Sequence, residues 1–202
     1  MPKPTEVTTT NQDYWDKRYE SHQTGWDLGE ASPPIHGYFK QVEKKEIAIL
    51  IPGCGFGYEA EALLAMGFSN ITLIDVAELP VAELRDKYRN NPNINIIQGN
   101  FFEYEGQYDV IIEQTFFCAI DPALRIDYVQ KCHSLLAADG RIVGLFFNRQ
   151  FDGGPPFGGD ANEYASLFEK YFEINKLEPC YNSAGPRAGS ELFAILIRKT
   201  YL

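Results

Sequence analysis

From Ile47 onward, short apolar runs rich in β-branched residues alternate with helix-length amphipathic stretches. The runs IAILI from Ile47, ITLIDV from Ile71, INIIQ from Ile94, YDVIIEQ from Tyr108 and RIVGLFFN from Arg141 predict strands. Between them, Gly57 to Met66, Leu79 to Arg89 and Ala123 to Leu136 predict helices. Such alternation implies right-handed crossovers and a parallel sheet buried on both faces. Near the end, a helix from Ala161 to Tyr171 and strands at Phe172 to Leu177 and Glu191 to Arg198 complete the pattern. No helix separates the last two strands, so they should pair antiparallel. The predicted fold is α/β and Rossmann-like: a mostly parallel seven-stranded sheet with a C-terminal antiparallel pair and helices on both faces.

Ahead of this series, Asp13 to Glu20 predicts a short helix and Gly25 to Pro34 a loop. A second helix should start at the prolines and run through His36 to Lys44. Residues 1–12, polar and lacking an apolar core, read as a flexible leader, which leaves 13–202 as one domain with a helical region over 13–46. After Asn148 the stretch FDGGPPFGGD is too punctuated for regular structure and too aromatic for a spacer, which marks a candidate active-site loop.

The length, 202 residues, supports one sizeable core, and a hydrophobic fraction of 45% with 23% charged residues is ordinary for a globular domain. A formal net charge of -10 repels phosphate backbones and anionic headgroups, which argues against nucleic acid and membrane surfaces as partners and leaves a small-molecule substrate. Apolar runs fall short of a membrane span, and no secretory segment opens the chain, so a cytoplasmic location is expected. Cys54, Cys118, Cys132 and Cys180 are scattered and read as reduced thiols. His22, His36 and His133 stand apart from any metal-ligand cluster, so no metal is expected. The pattern specifies no oligomeric state.

Pro52-Gly53-Cys54-Gly55-Phe56-Gly57 follows the first buried strand and leads into a helix, where open α/β sheets bind ligands. Asp75 ends the second strand 22 residues after Gly53, the usual offset from a glycine loop to a ribose-binding carboxylate. A dinucleotide site uses G-x-G-x-x-G, whereas these glycines follow G-x-G-x-G, the pattern associated with S-adenosylmethionine. A P-loop is absent. Asn100 and Phe101 follow the third strand and offer an amide and a ring to an adenine; Glu113, Gln114 and Thr115 follow the fourth. Taken singly, Asn100 also reads as a helix cap and Glu113 as a solvated loop charge.

Four ordered segments, Trp26-Asp27-Leu28-Gly29, Ile51-Pro52-Gly53-Cys54-Gly55, Phe116-Phe117-Cys118-Ala119-Ile120-Asp121-Pro122 and Gly153-Gly154-Pro155-Pro156-Phe157, resemble the thiopurine S-methyltransferase superfamily, within it the plant-type thiol, thiocyanate and halide methyltransferases. The likeness runs from about Tyr14 to the carboxyl end. It implies a class I methyltransferase fold that binds S-adenosylmethionine and releases S-adenosylhomocysteine. Trp15, Tyr19 and Trp26 would then form an aromatic lid. Gly53 and Gly55 would approach the methionine moiety, Asp75 and Val76 the ribose, Asn100 and Phe101 the adenine, and Glu113, Gln114 and Thr115 the cofactor from the fourth strand. Gln114 stands where thiopurine-type members often carry arginine, and Val76-Ala77 replaces the family's serine after the acidic residue.

Methyl transfer from a sulfonium is an in-line displacement that needs alignment and exclusion of water. A soft anion needs no general base, so no catalytic side chain is assigned. Trp26, Phe116, Phe117 and Phe157 are the candidate substrate pocket, although core packing explains Phe116 and Phe117 equally well. Arg187 either draws an anionic substrate or is a surface turn residue. Cys54 and Cys118 read as small buried hydrophobes, His22 and His36 as solvated loop residues. Two other classes remain: a non-catalytic cofactor-binding domain, and an NAD-type oxidoreductase that the glycine spacing disfavours.

Overall fold

The computed structural model describes residues 11–200, so the predicted leader lies outside the described residues except for its last two positions. Those two already belong to structure, because the Asn11 side chain accepts from Tyr14 N–H and caps helix α1, Gln12–Glu20.

Seven strands form one sheet: β1 (Ile49–Pro52), β2 (Ile71–Asp75), β3 (Ile94–Gln98), β4 (Tyr108–Gln114), β5 (Leu136–Phe147), β6 (Phe172–Pro179) and β7 (Glu191–Arg198). Their order is β3-β2-β1-β4-β5-β7-β6. The first five run parallel, and every residue of β1 and β2 is buried, as strands covered on both faces must be. The predicted antiparallel pair is present, and β7 goes further: it inserts between β5 and β6 and runs antiparallel to both.

Order reverses at β1, with β2 on one side and β4 on the other, which opens a crevice at their carboxyl ends. Helices α3 (Tyr58–Ala65), α4 (Glu78–Lys87), α5 (Arg125–Leu135) and α6 (Ala161–Phe168) follow the predicted segments, all ending earlier and α4 starting one residue sooner. A 3-10 turn over Pro122–Leu124 replaces the predicted start of α5, where Asp121 caps the chain. Helix α2 spans only Pro33–Phe39 and stops short of Lys44, because Val42 is the sole apolar side chain between Lys40 and Lys45 that a further turn would have to bury. Two apolar clusters cover opposite faces of the sheet, one containing Ile111, Tyr128 and Phe168, the other Ile49, Leu63 and Phe39. Among the described residues no helix is long and apolar enough to cross a membrane.

Candidate functional site

The glycine loop turns through left-handed backbone at Gly53, Gly55 and Gly57, with φ of 57°, 50° and 71°. Each glycine is also crowded by a different neighbour. A methyl group on Gly53 would run into the Phe116 ring, one on Gly55 would lie 3.0 Å from Tyr19 Oη, and one on Gly57 would lie 2.8 Å from Leu84 Cδ2. The spacing G-x-G-x-G thus records three close approaches, from the β4 end, the amino-terminal helix and α4. Asp75 ties this loop to β2: Gly55 N–H donates to its Oδ2 at 2.9 Å and Ala77 N–H to its Oδ1 at 2.9 Å. Burial pushes its pKa up and these backbone donors oppose the shift.

Above the loop sits an aromatic cluster. Trp15 meets Trp26 edge-on with centroids 5.3 Å apart, and Tyr19 meets Trp26 at 5.6 Å and Phe56 at 5.4 Å. Burial raises the Tyr19 hydroxyl above its ordinary range, so it stays protonated. Three carboxylates that sequence reasoning did not single out hold this region down. Asp16 accepts from Glu78 N–H at 2.7 Å and so caps α4 from α1. Asp27 accepts from Gly29 N–H at 2.7 Å and Tyr58 Oη at 3.3 Å, and buried Glu59 accepts from Ser32 N–H at 3.0 Å. Asp27 lies inside a quoted motif and was legible there; nothing in the local pattern marks Asp16 or Glu59.

Of the predicted residues, Tyr19, Trp26, Gly53, Gly55, Gln114 and Thr115 line one cleft. Its volume is about 50 Å³. Pockets for small molecules usually enclose at least ~300 Å³, so this cleft is smaller than that. Gly53 and Gly55 backbone and the Tyr19, Trp26 and Phe56 rings line it, and Asp75 lies behind the glycine loop, bonded to Gly55, outside the lining. Trp15 packs behind Trp26, outside the lining.

On the β4 side the residues separate. Thr115 adopts φ of 61°, and the Phe116 ring turns over Gly53, 5.2 Å from the Phe101 ring. Phe117 does not line a pocket: it is 2% exposed and packs among Tyr128, Phe146 and Tyr164, so the core reading is the correct one. Glu113 likewise makes no approach to the cleft. Fully buried, it accepts from Phe116 N–H at 2.9 Å, Phe117 N–H at 2.8 Å and Tyr128 Oη at 2.6 Å. It is no solvated charge, and it lies outside the cleft lining. Asn100 commits its amide to a turn, donating to Glu103 at 3.0 Å and accepting from Phe102 N–H at 3.0 Å, and no helix follows it, so it is not a helix cap. Val76 stands half-buried beside Asp75.

The glycine and proline stretch is a loop as predicted, and Phe157 N–H docks it on Cys118 C=O at 2.7 Å. Arg187 is no surface residue. It is buried, donating to Trp26 C=O at 2.6 Å and Gln114 at 3.2 Å and pairing with Glu191 at 3.4 Å. All four cysteines are buried and free. Burial pushes the Cys54 and Cys118 thiols up, Cys118 to about 12, which leaves both protonated and poor nucleophiles. His22 is exposed and His36 sits half-buried on α2; neither lines the cleft.

Residues 10–192 match the family model described as Thiopurine S-methyltransferase. A probable thiol methyltransferase 2 from Arabidopsis thaliana is 30% identical over 88% of this chain and 81% of its own length. A thiocyanate methyltransferase 1 from the same plant is 27% identical over 83% and 78%. Among solved structures, a Burkholderia thailandensis 1,6-didemethyltoxoflavin-N1-methyltransferase with bound S-adenosylhomocysteine superposes with a TM-score of 0.77 at 19% identity, over 99% of this chain and 92% of that one.

Proposed function

The chain belongs to the thiopurine S-methyltransferase family and is an S-adenosylmethionine-dependent methyltransferase, and from that premise we propose that its acceptor is a small soft nucleophile: a thiol, thiocyanate or a halide. The observation that carries this reading is the cleft itself, in which glycine backbone held by the Asp75 carboxylate meets an aromatic roof while no histidine is present among its lining residues. Thiol and thiocyanate acceptors are named for the plant relatives, and halide extends the same chemistry.

In this assignment Gly53 and Gly55 admit the amino-acid end of the cofactor, Asp75 accepts the ribose hydroxyls on its remaining lone pairs with Val76 beside it, and Asn100 and Phe101 border the adenine. When bound, S-adenosylmethionine supplies an electrophilic methyl on a sulfonium. Everything else is alignment and exclusion of water by the protein. Tyr19, Trp15 and Trp26 close over the site, with Tyr19 protonated and able to donate. Phe116 stands where it separates the cofactor side from the acceptor side, and Phe157 joins it through the docked loop. Buried Arg187, which donates to Gln114 and is paired with Glu191, is assigned to the acceptor side. Gln114 in place of arginine disfavours a bulky purine. The protein is proposed to work in the cytoplasm.

A methyl-release assay with labelled S-adenosylmethionine tests the reading on hydrosulfide, thiocyanate, iodide and 6-mercaptopurine. Methylated product from any of the first three, in preference to the purine, is the expected result. Tight uptake of S-adenosylhomocysteine with no methylation of any acceptor would instead mark a cofactor-binding domain without turnover.

A further inference from the structure

We propose that Glu113 is a positioning residue for methyl transfer: its carboxyl group pins the turn from Thr115 to Cys118 and thereby holds Phe116 over Gly53 as the wall between cofactor and acceptor. The inference rests on the assignment of Phe116 to that wall and deepens it.

One oxygen of Glu113, Oε1, accepts from two successive backbone N–H groups, those of Phe116 and Phe117, at 2.9 and 2.8 Å. These are the donors that follow Thr115, whose φ of 61° is a conformation a β-branched residue rarely adopts. The backbone reverses there because the carboxyl group captures both donors immediately after the reversal. The other oxygen, Oε2, accepts from Tyr128 Oη at 2.6 Å. Tyr128 in turn lies 5.7 Å from the Phe101 ring, 6.0 Å from Phe116 and 5.1 Å from Phe117. Glu113 and Tyr128 therefore brace the adenine side and the acceptor side from one point behind both.

Glu113 reaches no ligand itself, since it has no exposed surface. Burial raises its pKa to about 7, and the titratable groups facing it, Tyr128, Cys132 and Cys118, are all pushed up and remain uncharged. Gaining a proton does not break the brace. A protonated Oε2 donates to Tyr128 Oη, and Oε1 keeps both backbone donors. Glutamine reproduces that arrangement, with Nε2 donating to Tyr128 and Oε1 unchanged. A group that took a proton from the acceptor would lose its activity in the same substitution.

The test compares Glu113→Gln, Glu113→Ala and Tyr128→Phe in the full chain. Three readouts are followed: the affinity for S-adenosylhomocysteine, kcat and KM for methyl transfer to iodide or hydrosulfide, and the amide proton shifts of Phe116 and Phe117. Glu113→Gln should stay within about threefold of the parent in kcat and keep both amide shifts, while Glu113→Ala should lose at least about tenfold in kcat and shift both amides, as expected for a misplaced wall. S-adenosylhomocysteine affinity should hold within about threefold in Glu113→Gln. If Glu113→Ala does not fold, Tyr128→Phe, which removes one hydroxyl only, should give a smaller loss of the same kind. Loss of turnover in Glu113→Gln would overturn the proposal, as would unmoved amides in both Glu113→Ala and Tyr128→Phe. Should no acceptor be methylated, the acceptor assignment fails, and the amide shifts still decide what Glu113 holds.

Discussion

Asp75 and Glu113 lie on opposite sides of β1, one closing β2 and the other one residue from the end of β4, and each is a buried carboxylate that accepts two backbone N–H groups. They nevertheless do different work. Asp75 bonds the glycine loop whose Gly53 and Gly55 line the cleft, which is where the proposed ribose contact puts it. Glu113 bonds its own following turn, and Tyr128 from α5 closes it off. Sheet topology delivers an acidic side chain to the crevice in both cases. What packs on top then decides whether that side chain is a ligand contact or a strut, and here the deciding residue is 15 positions downstream of Glu113.

The largest effect that would sharpen this contrast is in the pH dependence of stability. The folded pKa of Glu113, about 7, lies above its unfolded value near 4.5, so the folded chain keeps a proton that the unfolded chain releases. This group's contribution is therefore fully present below pH ~4.5, declines as pH rises toward ~7 and is constant beyond, a total of about 3 kcal/mol at 1.36 kcal/mol per unit. Urea denaturation of Glu113→Gln and the parent across that window should show the parent losing stability relative to the variant. A difference that does not change with pH would mean Glu113 is charged throughout and the contrast with Asp75 is weaker than drawn. Asp75 is shifted in the same direction, but it is present in both chains and drops out of the comparison.

The next effect isolates the cofactor edge. Asp75→Ala should weaken S-adenosylhomocysteine binding by ~1–3 kcal/mol through loss of charge-assisted hydrogen bonds. It also releases Gly55 N–H, so a calorimetric titration should be paired with circular dichroism to show that the fold survives. Unchanged affinity in a folded variant would remove the functional half of the contrast and make Asp75 a strut like Glu113.

These two carboxylates also show where reading the sequence stops. Alternation of strand and helix predicts the sheet because period and burial are local properties, and Glu191 to Arg198 matches β7 residue for residue. The glycine loop, Asp75 and Trp26 are legible for the same reason, each sitting inside a short motif or at a fixed offset from one, whereas Tyr19 comes only from the family resemblance. Phe116 and Phe117 are adjacent and chemically identical, and only the turn at Thr115 sends one ring over Gly53 and the other into the core. Arg187 looks like a turn residue because two of its partners, Trp26 and Gln114, lie far away along the chain and only Glu191 is near it in sequence. Asp16 caps a helix 62 residues away, a contact no window along the sequence contains.

The smallest effect tests the point at which the two edges meet. Gly53 and Gly67 both hold left-handed backbone, with φ of 57° and 88°, yet Gly67 follows α3 in open space while Gly53 lies beneath Phe116. Alanine at Gly67 should cost only the backbone strain, about 1 kcal/mol, with methyl transfer unchanged. Alanine at Gly53 carries the same strain and must also push the Phe116 ring aside, so its cost in activity should exceed its cost in stability. Thermal denaturation and kcat for both variants separate the two terms. Equal activity in Gly53→Ala and Gly67→Ala would show that Phe116 moves freely off the glycine loop, and the wall joining the cofactor edge to the acceptor edge would then have no mechanical basis.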